Sequence, residues 1–63
     1  MPIVRVEMWS GRTHAQKVEL AQAITDAVVT VAQTTPESVI VVFTDIAKEN
    51  WAASGTLASD NTD

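Results

Sequence analysis

The chain has 63 residues, a net charge of −4, no cysteine and one histidine, which excludes disulfides, thiolate metal sites and a zinc site built on His14 alone. Its four basic residues are scattered rather than clustered, and no apolar run approaches the ~18 residues that a membrane helix needs, so neither nucleic acid nor membrane is an expected partner. With no signal-peptide pattern at the N-terminus, we expect a cytoplasmic protein with a single domain over residues 1–63.

The first predicted element is a strand at residues 3–9, whose sequence IVRVEMW ends at the turn signal Ser10-Gly11. Alternation divides its side chains between two faces. One face carries Ile3, Arg5, Glu7 and Trp9, and the other carries Val4, Val6 and Met8. Pro2 stands before this strand, where the missing N–H of a strand-initiating proline is harmless. A second interpretation is chemical, because Pro2 becomes a free secondary amine if Met1 is removed.

A long helix is predicted next, from about residue 14 to residue 33. Thr13 and Gln16 form a capping-box pattern at its start, and Pro36 ends it. An apolar stripe at helical spacing is expected to face the sheet. It contains Leu20, Ala21, Ile24, Ala27, Val28 and Val31. Val18 and Val29 fall outside the stripe.

A second strand is predicted at residues 39–44, with the sequence VIVVFT. Its continuous apolar run is typical of parallel strands that are buried on both faces. Strand, helix and strand together form a βαβ unit. We further expect a short helical turn at residues 47–50, a small hairpin near residues 53–57 and a solvated tail at SDNTD.

This architecture leaves apolar surface uncovered. One helix covers only one face of a two-stranded sheet, and two strands alone are at best marginally stable in water. A chain of this size buries only about 60% of the surface that its unfolded form exposes. The pattern therefore favours an obligate oligomer over a monomer.

The order and spacing of several short motifs resemble the 4-oxalocrotonate tautomerase family. These motifs are MPI, the strand followed by GR, the capped helix, VIVVFTDIAK, an aromatic residue three positions beyond that lysine, and LAS near the end. The resemblance implies an α+β fold, the β-α-β tautomerase fold. This fold consists of a two-stranded parallel sheet, a long crossover helix and a short C-terminal hairpin, and it is completed by oligomerisation. It also implies a homohexamer built as a trimer of dimers, and enol–keto isomerisation without a metal or another cofactor.

The same resemblance assigns roles to five positions. Pro2, after removal of Met1, matches the catalytic base, and Arg12 matches an arginine that holds a substrate carboxylate. Trp51 falls at a pocket position where the family usually has phenylalanine. Trp9 falls at a pocket position that is often aliphatic. Ile40 is a departure, because the well-known members carry there a second arginine, which contacts the substrate from a neighbouring subunit. Arg5 replaces it only if the assembly turns Arg5 towards the pocket.

The chemistry suits these residues. Burial in an apolar pocket and a nearby arginine both lower the pKa of an amine, which keeps a proline nitrogen available as a base. The expected substrate is a small unsaturated 2-hydroxy or 2-oxo acid. Because the second arginine is absent, two substrate classes remain equally open. One is a dicarboxylate such as 2-hydroxymuconate, and the other is a monocarboxylate with an apolar tail, as in a biosynthetic dienol acid. The alternative is a non-catalytic or weakly active structural subunit of a tautomerase-fold oligomer.

Overall fold

The computed structural model describes residues 1–60, and these residues form the predicted α+β arrangement. The elements are β1 (Ile3–Trp9), α1 (His14–Ala32), β2 (Ile40–Ile46), β3 (Ala52–Ala53) and β4 (Thr56–Leu57). Short 3₁₀ turns lie at Pro36–Ser38, Lys48–Asn50 and Ala58–Asp60. The first two residues of the predicted tail belong to the last of these turns, and the remainder of that tail lies outside the described residues.

Helix α1 is capped by hydrogen bonds at both of its ends. The Thr13 hydroxyl accepts a hydrogen bond from the Gln16 N–H at 3.1 Å, and the Gln16 side chain accepts one from the Thr13 N–H at 2.9 Å. This reciprocal pair satisfies two N–H groups that the helix itself leaves without partners. At the other end, Gln33 adopts a left-handed conformation with φ of 56°, and its N–H binds the Val29 carbonyl. The predicted bounds of 14–33 are thus correct to within one residue.

The face that α1 turns towards the sheet differs in part from the predicted stripe. Ala21, Ile24 and Val28 are half-buried as expected, but Val29 is also half-buried, whereas Val31 is 83% exposed. Leu20 and Ala27, two further members of the predicted stripe, are also exposed and share one flank of the helix with Val31. The half-buried positions, which include Thr25, recur at i, i+3, i+4, i+7 and i+8 from Ala21. The stripe that faces the sheet is therefore rotated about the helix axis, towards Val29, relative to the predicted one.

Strands β1 and β2 pair in parallel, in a register that runs from Ile3 opposite Ile40 to Trp9 opposite Ile46. The predicted parallel pairing is confirmed, although β2 begins one residue later and ends two residues later than expected. Val41 and Phe43 are half-buried, while Ile40 and Val42 on the opposite face remain 40% and 37% exposed. The expectation of a strand buried on both faces is therefore not met within one protomer, because nothing in it covers the second face.

The C-terminal segment forms the predicted hairpin. Ala52 lies opposite Leu57 and Ala53 opposite Thr56 in an antiparallel pair. The two connecting residues, Ser54 and Gly55, have φ of 54° and 77°. Positive φ at both positions is what a two-residue type I′ turn requires, so glycine at position 55 fits the turn without strain.

The protomer has no closed core. None of the residues from 1 to 60 is buried. The radius of gyration is 14.8 Å, against about 11 Å for a compact globular chain of this length. No membrane-spanning helix is found in the described part of the chain. The open architecture leaves large apolar side chains exposed on the single protomer, among them Ile3, Val18 and Val31.

Candidate functional site

A cavity lies where β1 ends and the C-terminal hairpin folds back. Its volume is about 240 Å³, slightly below the roughly 300–1,000 Å³ that is usual for small-molecule sites. It is lined by Trp9, Trp51, Ala53, Thr56, Leu57 and Ala58. Five of these six residues belong to the segment after β2, so the hairpin and its flanking turns form most of the wall.

Two tryptophans form the aromatic part of this wall. The Trp9 and Trp51 rings meet edge to face, with centroids 6.1 Å apart and an interplanar angle of 79°. This arrangement is favourable for aromatic pairs, since the positive edge of one ring faces the negative face of the other. The Trp51 carbonyl also accepts a 2.7 Å hydrogen bond from the Ala58 N–H, which holds the two sides of the hairpin together.

Lys48 adds a cation to this cluster. Its Nζ lies over the Trp9 ring, 4.8 Å from the centroid, which is within the range of a cation–π interaction. The sequence alone indicates only a solvated lysine in a turn. The contact depends on the 3₁₀ turn at Lys48–Asn50 folding back towards the end of β1. The sequence signal that could have indicated this contact is the position of Lys48 three residues before Trp51, which itself packs against Trp9.

Arg12 lies at the same end of the protomer. It follows Gly11, whose φ of 122° is accessible to glycine but strained for other residues. Arg12 Nη1 donates a long hydrogen bond of 3.5 Å to the Trp9 carbonyl. A bond of that length is weak, so the exposed guanidinium is available to a ligand.

Pro2 and Ile40 lie together at the opposite end of the sheet. The Ile40 N–H donates a 3.0 Å hydrogen bond to the Pro2 carbonyl, and Ile40 is the strand partner of Ile3. Pro2 is half-buried, whereas Ile3 and Ile40 are 51% and 40% exposed. Two partly exposed isoleucines, one next in sequence and one across the strand pair, are thus the neighbours of Pro2 in the sheet.

The five predicted site residues thus form two groups rather than one. Trp9, Trp51 and Arg12 occupy one end of β1, and Pro2 and Ile40 occupy the other. At about 3.3 Å per residue, Pro2 and Trp9 are roughly 23 Å apart. A single protomer therefore does not bring the five predicted residues together. Within residues 1–60, no group of three or more histidine and acidic side chains is placed to hold a metal ion.

Comparison with known proteins identifies a family. The model of the tautomerase enzyme family matches residues 2–61. A probable tautomerase of Ralstonia nicotianae is 40% identical over 57 residues, covering 90% of this chain and 88% of the relative. The 2-hydroxymuconate tautomerase of Bacillus subtilis is 35% identical over 60 residues, covering 95% and 97%.

Solved structures agree with this result. YwhB, a homologue of 4-oxalocrotonate tautomerase, superposes with a TM-score of 0.92 at 33% identity, covering 95% of this chain and 98% of YwhB. A heterohexameric 4-oxalocrotonate tautomerase from Chloroflexus aurantiacus gives a TM-score of 0.91 at 25% identity, covering 95% and 97%. The match of almost the whole length in both proteins confirms the β-α-β fold predicted from the sequence motifs.

Proposed function

Because this chain belongs to the tautomerase family, whose members are isomerases, we propose that it interconverts the enol and keto forms of a small unsaturated 2-hydroxy acid, with Pro2 as the base. The proposal requires removal of Met1, since the nitrogen of an internal proline is an amide without a basic lone pair. The observation that carries it is the position of Pro2. The hydrogen bond from the Ile40 N–H to the Pro2 carbonyl fixes this residue at the start of β1.

The reaction needs one mobile proton. The Pro2 nitrogen removes the proton of the enol hydroxyl, and the O–H electron pair forms the ketone carbonyl. The conjugated double bonds shift, and the same proton is delivered to a distant carbon of the chain, where a C–H bond forms. The sum is an isomerisation, so no atom or electron is gained or lost. A base held in a fixed position contributes typically 10²–10⁴-fold to such a proton transfer.

Arg12 and the aromatic cavity supply substrate binding in this proposal. The guanidinium presents a planar pair of N–H donors that matches a carboxylate, and it stabilises negative charge as that charge develops on the substrate. Trp9 and Trp51 offer apolar faces to the unsaturated carbon chain. Since Arg12 and Pro2 lie at opposite ends of β1, the functional site combines Pro2 of one subunit with Arg12 of another. A homohexamer in the cytoplasm, without a cofactor, is the assembly we propose.

The side chain at position 40 limits the class of substrate that we expect. Isoleucine cannot donate a hydrogen bond, and the surface beside Pro2 is apolar. We therefore propose that one carboxylate is bound by Arg12 and that the opposite end of the substrate packs against apolar side chains. The name of the Bacillus subtilis relative makes 2-hydroxymuconate the natural first substrate to test, and its analogue without the distal carboxylate is the matched comparison.

The test has two parts. Mass spectrometry of the purified protein should show loss of Met1, because a retained methionine blocks the nitrogen and leaves the chain as a non-catalytic subunit. Isomerisation is then followed in the ultraviolet for wild type, Pro2→Ala and the control Pro36→Ala, which changes the second of the two prolines. We expect Pro2→Ala to lose at least 10²-fold in kcat and Pro36→Ala to remain active. Equal rates for wild type and Pro2→Ala would exclude Pro2 as the base.

A further inference from the structure

Trp9 is held by three contacts, although it lies at the end of an open strand. Its carbonyl accepts the long hydrogen bond from Arg12, its ring meets Trp51 edge to face, and the Lys48 ammonium lies over the same ring. The residue is nevertheless 37% exposed. A partly exposed side chain has several staggered rotamers open to it, so the two ring contacts decide where the ring lies.

Both ring contacts come from one short turn, the 3₁₀ turn that immediately precedes Trp51. The Trp51 N–H donates a 3.3 Å hydrogen bond to the Lys48 carbonyl, and the Asn50 N–H donates one of 2.8 Å to the Ala47 carbonyl. These bonds fix the backbone of Lys48 and Trp51 relative to each other. A single turn therefore carries both the cation and the aromatic ring that hold Trp9.

Lys48 affects the cavity through Trp9 rather than directly. It is not one of the six residues that line the cavity, whereas Trp9 and Trp51 both are. Its Nζ lies 4.8 Å from the centroid of the Trp9 ring and so occupies one face of that ring. The opposite face and the edges of the ring are what Trp9 can offer to a bound molecule.

A fixed ring matters more to a planar ligand than to a flexible one. A planar conjugated chain packs well only against a ring whose face is already aligned with it. A saturated chain of the same length rotates about its single bonds and adapts to a ring in several orientations. Fixing a side chain of the protein before binding also removes the cost of ordering it when the ligand arrives. Loss of the cation should therefore weaken the binding of a planar chain more than that of a saturated one.

We propose that Lys48 is a positioning residue, which fixes the Trp9 ring as a rigid wall of the cavity and thereby makes the cavity select planar conjugated carboxylates over saturated carboxylates of the same length. The assignment of the cavity as the substrate site rests on the proposed function. The position of the ammonium over the ring does not depend on it. Lys48 takes no part in proton transfer and acts only through Trp9.

A pair of matched carboxylates tests the selectivity without turnover. Sorbate (trans,trans-2,4-hexadienoate) and hexanoate have the same carboxylate and the same number of carbons, but only sorbate is conjugated and planar. Binding is followed by NMR at the indole N–H signals of the two tryptophans, which Trp51→Phe assigns. We expect wild type to bind sorbate more tightly. Lys48→Ala and Lys48→Gln should each reduce this preference about 2- to 5-fold, the effect of losing an exposed cation–π contact.

Two control variants separate the cation from general effects on the turn. Lys48→Arg keeps a cation and should keep the preference for sorbate. Glu49→Ala truncates the next residue of the same turn, which is exposed and forms no ion pair within residues 1–60, and it should behave as wild type does. In the Trp51→Phe background, time-resolved fluorescence anisotropy reports Trp9 alone. Its fast local component should increase with Lys48→Ala and remain unchanged with Glu49→Ala.

Three outcomes would overturn the proposal: an unchanged preference in both uncharged variants, an equal loss in Glu49→Ala, or a wild-type chain that does not prefer sorbate. A variant that is merely less folded loses affinity for both ligands, so the ratio of the two dissociation constants distinguishes misfolding from a mobile ring. Absence of isomerisation by wild type would reject the proposed function and leave these constants unaffected. The two proposals can therefore fail separately.

Discussion

The Lys48 ammonium lies over the Trp9 ring, 4.8 Å from its centroid, although 39 positions separate the two residues in the chain. The Trp51 ring meets Trp9 edge to face in the same cluster. The end of β1, the 3₁₀ turn at Lys48–Asn50 and the residue that follows this turn thus form one packed unit. The cavity wall is stabilised by a cation as well as by aromatic packing.

Lys48→Met should weaken this unit by about 0.5–1 kcal/mol, the usual contribution of an exposed cation–π pair. Methionine keeps the apolar stem and removes the charge. The measurement is chemical denaturation at fixed protein concentration, because the stability of an oligomer depends on concentration. Lys48→Arg preserves the cation and should retain wild-type stability. An equal loss in both variants would show that the charge contributes nothing at Trp9.

Thr13→Ala should lower the free energy of unfolding by about 0.5–2 kcal/mol, the range for loss of an N-cap side chain. The variant leaves the Gln16 N–H without its partner and breaks the reciprocal pair of hydrogen bonds. Thr30→Ala, an exposed change within α1, is the matched control and should be neutral to slightly stabilising, because alanine has the higher helix propensity. Denaturation curves that do not distinguish the two variants would contradict a stabilising role for the cap.

Gly11→Ala should cost about 1–3 kcal/mol through backbone strain alone. A Cβ at this position meets nothing within 4 Å, but φ is 122°. Because Arg12 follows directly, relaxation of the strained backbone should displace its guanidinium and raise KM in any substrate assay. Ser10→Ala is the control, since Ser10 precedes the strained residue. If Gly11→Ala matches Ser10→Ala in both stability and KM, the strain argument is wrong.

The elements that the sequence predicts well are those set by local chemistry. Thr13 and Gln16 recognise each other across three residues, and Ser54-Gly55 selects a tight turn by its own conformational preferences. Both signals lie within the segment that they organise. The bounds of β1, α1 and the hairpin follow from such short-range patterns.

The features that the sequence predicts poorly depend on distant partners. Val29 and Val31 are the same residue type, and which of them faces the sheet depends on how α1 is rotated about its axis when it packs. Lys48 lies over Trp9 only because a turn brings it there from the far end of the chain. The family motifs predict that Pro2 and Arg12 belong to one site, whereas their separation within the protomer follows from the length of β1.

Arg12→Ala should lower kcat/KM on a carboxylate substrate by about 10- to 150-fold, which corresponds to the ~1.5–3 kcal/mol of a charged hydrogen bond. Arg12→Lys keeps the charge but loses the planar pair of donors, so its activity should be intermediate. Steady-state kinetics on the same substrate measures both variants. Wild-type kinetics in Arg12→Ala would remove this residue from the proposed site.

Ile40→Arg should raise kcat/KM for 2-hydroxymuconate relative to its analogue without the distal carboxylate. The new cation lies beside Pro2, because the Ile40 N–H is bonded to the Pro2 carbonyl, and it supplies a partner for the second carboxylate. A fully formed charged hydrogen bond of ~1.5–3 kcal/mol would shift the ratio of the kcat/KM values for the two substrates by about 10- to 150-fold. Ile40→Met, which changes shape without adding charge, should leave the ratio unchanged. An unchanged ratio in Ile40→Arg would show that position 40 does not face the distal end of the substrate, and the apolar surface beside Pro2 would then have no part in substrate selection.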